Sequence, residues 1–312
     1  MALVFHSRAY DLLIESELEL PELTPTPDID GVPDLTISLA QAIPDLSVAT
    51  LQEPAFQVSP TAFRLSIEGV AVYQVEAGRR IQVQPVAGAD PAQVRLFLLG
   101  SVLGGLLYQR GLFPLHGSAV ETPWGAMVFV GVSGVGKSTL AAHFHRQGYR
   151  LLSDDVCAIT QDAQGKMQVL PAFPQVRLCG DALGRLGERQ AATATARMDG
   201  DKYILPLGDG YCPVAVPLGA VHVLTDAEGK PFLTALRGFD RIHQLAENLY
   251  RPHYLRGLQG RGEVLRLAGA IASSVEVFQF SRCRDAGQLD AQVHWLEDEW
   301  RSRSASSLAQ DA

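Results

Sequence analysis

Ala126-Met-Val-Phe-Val130, followed by Gly131-Val-Ser-Gly-Val-Gly-Lys-Ser138 and then Thr139-Leu-Ala-Ala-His-Phe144, reads as an apolar strand, a glycine-rich turn and a helix. The turn fits GxxxxGK[ST] at every fixed position. Gly131, Gly134 and Gly136 allow positive φ, so successive N–H groups can converge on phosphate oxygens with no side chain in the way. Ser133 and Val135 complete the loop. Lys137 supplies a positive charge to the β- and γ-phosphates, Ser138 offers a hydroxyl to Mg²⁺, and Thr139 lies in the first turn of a helix whose positive end faces the anion. Lysine is scarce in this chain: only Lys137, Lys166, Lys202 and Lys230 occur among 26 basic residues. One of the four stands where a phosphate loop needs it.

Working outward, Tyr149-Arg-Leu-Leu-Ser153 is a short strand after the helix at 137–147, with Gly148 as its C-cap, and it ends at Asp154-Asp155. In a parallel sheet the carboxyl end of a neighbouring strand opens onto the same crevice as the phosphate loop. Two carboxylates there can divide the labour, one holding Mg²⁺ and the other accepting the proton of an attacking hydroxyl. Further strands are predicted at 116–121, 156–160, 167–170, 214–225 and 275–280, with helices at 238–256 and 287–303. Before them, residues 1–95 alternate apolar and polar side chains between glycine turns at Glu68-Gly69 and Ala77-Gly78, the pattern of a β-rich lobe. Asp90-Pro91 starts a largely buried helix through Val94–Tyr108, and Gly111 follows it. The expected architecture is α/β: a β-rich lobe at 1–95 and a phosphate-loop domain at 96–312.

Composition removes other classes. Of 312 residues, 34 are acidic and 26 basic, for a net charge of −8. With no basic run, a nucleic-acid partner is not expected. Cys157, Cys179, Cys212 and Cys283 are far apart and form no CxxC pair, so reduced thiols are expected rather than a disulfide or zinc framework. The apolar run Leu96–Tyr108 has 13 residues, too few to span a bilayer, and the N-terminal segment carries acids where a signal peptide would be apolar. A soluble, cytoplasmic protein without a membrane partner is expected. The oligomeric state, a homo-oligomer included, is left open.

His116-Gly117, the loop at 131–138 and Leu151-Leu-Ser-Asp-Asp-Val156 together resemble the kinase domain of HPr kinase/phosphorylase, whose fold is related to phosphoenolpyruvate carboxykinase. The resemblance is specific over about 112–180. It implies an ATP- and Mg²⁺-dependent serine kinase in which Asp155 accepts the serine proton, Lys137 and Ser138 serve phosphate and metal, and His116 sits close to the phosphates. Asp154 would join Ser138 at the metal. The family's Glu-x-Arg-Gly signature is replaced here by Gln175-Val-Arg177-Leu178, so the second metal ligand falls to a neutral Gln175 while Arg177 is kept for phosphate. Lys202, in Asp199-Gly-Asp-Lys-Tyr203, is a further candidate for the phosphate or the substrate. The N-terminal lobe and Tyr108-Gln-Arg-Gly-Leu-Phe-Pro-Leu-His116 are similar to the HPr-kinase-like proteins of lasso-peptide gene sets. That similarity implies a peptide or small-protein acceptor, foremost the C-terminal serine of a precursor peptide. A regulatory kinase of carbohydrate metabolism, a nucleotide-dependent switch without an acceptor, and a small-molecule kinase are the alternatives. His222, His243, His253 and His294 lack ligand-like spacing and read as structural. Arg251, Arg256, Arg261 and Arg266 read as a solvated basic face on which an anionic peptide could dock.

Overall fold

A computed structural model of the chain describes residues 3–26, 31–186, 193–194, 202–258, 261–283 and 285–310. The N-terminal lobe is a nine-stranded sheet running from Phe5–Ala9 to Arg80–Pro85. Its alternation is legible in single strands: along Ala71–Glu76, Ala71, Tyr73 and Val75 are buried and the residues between them are not, as a period of two requires. The buried face rests on a helix, Pro91–Gln109, capped at its start by Asp90, whose carboxylate accepts from the Ala92 N–H. Tyr73 Oη donates to the Val94 carbonyl at 2.9 Å. The glycines that break this apolar run have a packing reason. A β-carbon at Gly105 would come within 2.7 Å of the Phe63 ring, and one at Gly104 within 2.8 Å of the Tyr250 ring, so the helix is pressed between the lobe and the 250 segment.

That helix corrects one expectation. It extends beyond the 13-residue run to 19 residues, long and apolar enough by length and composition alone to cross a membrane. Two thirds of it is buried within the protein. Its middle turn, Leu98–Val102, widens to π-type hydrogen bonding, a geometry often found beside functional sites. The boundary expected between residues 95 and 96 falls inside this helix. Buried side chains of the lobe (Leu35, Phe63), the helix (Leu103) and the strands that follow (Leu115, Ala158) belong to one continuous apolar core.

The second sheet holds the phosphate loop. Its strand, Gly125–Val130, pairs in parallel with Val216–Asp226, Val130 opposite Val223, and that strand pairs in parallel with Glu276–Arg282. On its other side it pairs antiparallel with Phe113–Thr122, Gly117 opposite Val130. The strand carrying the aspartates, Leu151–Ser153, is therefore not its direct neighbour. Phe113–Thr122 lies between them and pairs antiparallel with both, which leaves the two outer strands pointing the same way and their carboxyl ends at one edge. The aspartates stand at the end of Leu151–Ser153, and the chain continues past them into a further strand, Val156–Gln161, paired with Phe113–His116.

The phosphate-loop helix, Lys137–Arg146, buries Leu140 and Phe144 in a second core with Phe129, Phe278 and Trp300. The C-terminal helix, Leu289–Gln310, covers it, tied by Asp290 to His143 and Arg146. The helix expected at 238–256 divides: Phe239–Glu247 ends before Arg251, which has φ 47°, and Pro252 starts a separate 3₁₀ turn at Pro252–Arg256. A helix at Arg261–Ser274 and a small sheet of Gln175–Cys179, Thr193–Ala194 and Lys202–Pro206 were not expected. The thiols of all four cysteines are free.

Candidate active site

The loop adopts the backbone its glycines permit, with φ of 139° at Gly131, 81° at Gly134 and 93° at Gly136. Arg282, buried at the end of its strand, donates from Nη2 to the Val135 carbonyl at 2.8 Å and so braces the loop from below. Val135 is itself buried, while Ser133 is exposed at the rim. Lys137 is buried, with Nζ donating to the carbonyls of Gly131 at 2.8 Å and Val132 at 3.2 Å. The ammonium thus sits in the cup of the loop, on the same carbonyls that would fix it beside a phosphate. Ser138 and Thr139 are half-buried in the first turn.

Asp154 and Asp155 face different ways. Asp154 is buried and accepts from Ser118 Oγ at 2.6 Å and from the Arg177 N–H at 2.9 Å, with the Ser138 hydroxyl close by. All three groups are neutral. Burial raises its pKa above the ordinary carboxylate value, and these hydrogen bonds oppose the rise. A buried carboxylate close to the loop serine hydroxyl is a pair of hard oxygen donors among neutral groups, which fits Mg²⁺. Among the described residues no group of three or more His, Cys, Asp or Glu could hold a metal. Mg²⁺ at this pair would complete its shell with phosphates and water, as that ion commonly does.

Asp155 turns outward on a left-handed backbone, φ 72°. Its Oδ1 lies 3.4 Å from His116 Nδ1 and its Oδ2 3.5 Å from Arg177 Nη1. Its carbonyl lies 3.1 Å from the same His116 nitrogen and accepts from the Gly117 N–H at 3.3 Å. Gly117 is required where it stands: a β-carbon there would come 2.6 Å from the Phe129 carbonyl. The His116-Gly117-Ser118 segment thereby connects the start of the phosphate loop with both aspartates.

Two cavities meet here. One, about 580 Å³, lies over the loop and is lined by Val132, Ser133, Thr225, Asp226, His243 and Glu247. The other, about 490 Å³, lies on the far side of Asp155, lined by Gly100, Ser101, Arg177, Tyr250 and Arg251. His116, Ser133 and Leu249 border both. A groove of about 590 Å³ between Pro21–Pro25 of the lobe and the Gln175 strand shares Leu96 and Arg177 with the second cavity.

The structure therefore brings together Lys137, Ser138, Asp154, Asp155, His116 and Arg177. Gln175 is buried and lines the groove with Arg177, and it borders neither cavity at the loop. Lys202 opens the strand paired with Gln175–Cys179, opposite Cys179; its side chain and residues 199–201 lie outside the described residues. Sequence reasoning missed Ser118, Arg282 and Tyr250; Arg251, read as part of a solvated basic face, is exposed and also lines the second cavity. Only the spacing His116-Gly-Ser118 could have pointed to Ser118, since strand neighbours two apart share a face. His222 is buried beside Trp300, whose Nε1 donates to its Nε2 at 3.1 Å, and burial drops its pKa to about 3, in line with the structural reading.

No family model matches the chain. Over 118 residues, 38% of this chain and 20% of the relative, it is 34% identical to phosphoenolpyruvate carboxykinase (ATP) of Mesorhizobium japonicum. The enzyme of the same name from Brucella suis is 32% identical over 119 residues, 38% of this chain and 20% of the relative. That of Shouchella clausii is 33% identical over 106 residues, 34% and 19%. The chain thus spans about a fifth of the length of these curated relatives. Among solved structures it is similar to the Hpr(Ser) kinase/phosphatase from Coxiella burnetii, at 11% identity and a TM-score of 0.34, over 62% of this chain and 98% of that one. The α/β architecture and the carboxykinase likeness agree with the phosphoenolpyruvate-carboxykinase-like fold class expected from the sequence.

Proposed function

We propose that the protein is an ATP-dependent kinase that transfers the γ-phosphoryl group to a serine hydroxyl of a peptide or small protein, with the C-terminal serine of a lasso precursor peptide as the favoured acceptor. The observation that carries the reading is the meeting of two cavities at His116, Ser133 and Leu249, one over the phosphate loop and the other lined by Asp155 and open to an acceptor. The lasso precursor rests on the sequence resemblance alone. Cytoplasmic location and the lack of a nucleic-acid partner belong to the same proposal.

In this reading the loop amides and Lys137 hold the β- and γ-phosphates of ATP. Ser138 and Asp154 would hold Mg²⁺, which when bound supplies charge neutralisation at those phosphates. The acceptor hydroxyl enters from the second cavity. Its oxygen forms the new bond to the γ-phosphorus, its proton passes to the Asp155 carboxylate, and the bond to the bridging oxygen breaks with its electron pair leaving on ADP. His116 and Arg177 fix the Asp155 carboxylate toward the acceptor. Positioning and charge supply most of the rate.

The test is incubation with γ-labelled ATP and candidate peptides, reading phosphopeptide formation against bare ATP hydrolysis. Stoichiometric phosphopeptide supports the kinase; hydrolysis with no labelled acceptor points to a nucleotide-driven switch instead. Lys137→Ala is expected to lose nucleotide affinity, and full affinity and activity in that variant would undo the phosphate-loop assignment.

A further inference from the structure

The second cavity contains a cation that the phosphoryl-transfer scheme leaves without work. The segment Asn248–Tyr250 hydrogen-bonds along Pro114–His116, His116 N–H donating to the Asn248 carbonyl at 2.8 Å and Tyr250 N–H to the Pro114 carbonyl at 2.9 Å. Arg251 is thereby delivered to the cavity on a left-handed backbone, φ 47° and ψ 58°, a conformation crowded for any residue with a β-carbon. The central carbon of its guanidinium lies 5.6 Å from the ring centroid of Tyr250, which lines the same cavity. This aromatic partner is neutral and does not cancel the cation. Asp155, the carboxylate lining the same cavity, also attracts it.

The charges facing the cavity are few. Asp155 is flanked by His116 and Arg177, so Arg251 leaves the cavity with one positive charge in excess even when His116 is neutral. A preorganised guanidinium facing a cavity of about 490 Å³ is built for a planar anion. We infer that this cavity recognises a carboxylate carried by the phosphoryl acceptor next to its hydroxyl, with Arg251 as the carboxylate partner. The inference rests on the kinase reading. It makes the acceptor a residue with a free α-carboxylate: a C-terminal serine or a free hydroxy acid. The groove that shares Leu96 and Arg177 with the cavity gives the preceding chain of a peptide an exit, which favours the C-terminal serine. Arg251 here is a specificity residue, reading the acceptor rather than moving the proton.

The experiment compares four acceptors with γ-labelled ATP and Mg²⁺: a peptide ending in serine with a free carboxylate, the same peptide amidated, the same peptide extended by glycine, and free serine. A charge-assisted pair corresponds to about a 10- to 100-fold difference. The free-acid peptide is expected to exceed the amidated and extended ones by that factor in kcat/KM. Arg251→Gln is expected to raise KM for the free acid by the same factor with little change in kcat, to abolish the preference over the amide, and to leave nucleotide affinity intact; Arg251→Lys recovers part of the preference. Free serine matching the peptide keeps the carboxylate assignment and makes the free acid the source. Equal use of free acid and amide by the wild-type protein overturns the inference, as does an Arg251→Gln defect of the same size on both. Calorimetric binding of free-acid and amidated peptide, with a non-hydrolysable ATP analogue present, reads the same discrimination without turnover. If binding discriminates and no phosphopeptide forms, the kinase reading falls and the carboxylate site stands.

Discussion

Gly136→Ala tests whether the phosphate loop is held by Arg282 beneath it. Gly136 caps the helix at φ 93° and ψ 30°, where a β-carbon costs about 1–2 kcal/mol. That β-carbon would also lie 2.7 Å from Arg282 Nη2, the atom that donates to the Val135 carbonyl. Arg282 is buried and cannot swing into solvent, so losing that charge-assisted bond costs about 1.5–3 kcal/mol more. The total is about 2.5–5 kcal/mol. For 312 residues, an unfolding entropy of about 2.1 cal/mol/K per residue gives about 0.65 kcal/mol/K, so the melting temperature should drop by about 4–8 °C. Gly134→Ala is the control: φ is 81° and a β-carbon there meets nothing within 4 Å, leaving only the backbone cost and a drop of about 2–3 °C. Both variants should lose nucleotide affinity, because both obstruct the convergence of amides on phosphate. Calorimetric melting without nucleotide separates them. If Gly136→Ala melts within about 1 °C of the parent, or above Gly134→Ala, the brace assigned to Arg282 is wrong.

Ser118→Ala removes the 2.6 Å hydrogen bond to buried Asp154 and should cost about 1–3 kcal/mol while weakening Mg²⁺-dependent nucleotide affinity; unchanged Mg²⁺ dependence in a nucleotide titration would count against Asp154 as a metal ligand. Asp155→Asn should lower phosphoryl transfer by about 10²- to 10⁴-fold with nucleotide affinity within about 3-fold, and near-parental transfer in single-turnover measurements would sink the base assignment. His222 has a folded pKa of about 3 against about 6.5 unfolded, so between those values the unfolded chain binds more protons. Its stabilising contribution is complete above about pH 6.5 and is lost as pH falls toward 3, by up to about 1.4 kcal/mol per unit. His222→Gln keeps an acceptor for Trp300 Nε1 and should flatten acid destabilisation between pH 6.5 and 5 by about 2 kcal/mol; matching acid slopes in the two proteins would remove His222 as the cause.

The sequence made the phosphate loop legible because loop chemistry is local: its glycines, lysine and serine are contiguous, and the strand and helix around them show their own periodicity. The nine-stranded lobe was legible only as alternation. Its strand order, in which Leu35–Leu39 pairs in parallel with Arg80–Pro85, depends on contacts far apart in the chain. The sheet position of the aspartates failed for the same reason. A parallel neighbour is the usual partner of a phosphate-loop strand, and nothing in Leu151–Ser153 announces that Phe113–Thr122 intervenes. Arg251 is exposed as its charge suggested, but its charge did not announce the cavity that it lines. The Pro252 that ends the preceding segment was the one local sign that the helix at 239–247 stops early and hands Arg251 to the cavity.

The two aspartates show why adjacency in sequence is not equivalence in chemistry. In an unbroken strand Asp154 and Asp155 would point to opposite faces by pleating alone. Here the φ of 72° at Asp155 bends the chain between two strands, letting the Asp155 carbonyl bond Gly117 while its carboxylate reaches His116 and Arg177. Asp154 meanwhile sits beneath the loop helix among neutral donors. One carboxylate has neutral donors and the other lies between His116 and Arg177, and in the proposed mechanism the first would hold metal and the second would take the proton. Aspartate and asparagine are the side chains, glycine aside, that best tolerate a left-handed backbone. Asp155→Asn therefore keeps the bend, the Gly117 hydrogen bond and the placement of His116, and removes only the proton acceptor. Asp155→Ala removes both, since alanine is strained at this φ. If the carboxylate matters as a base, both variants lose turnover and only the alanine variant also loses thermal stability; if Asp155 matters only as a bend, the asparagine variant keeps its turnover.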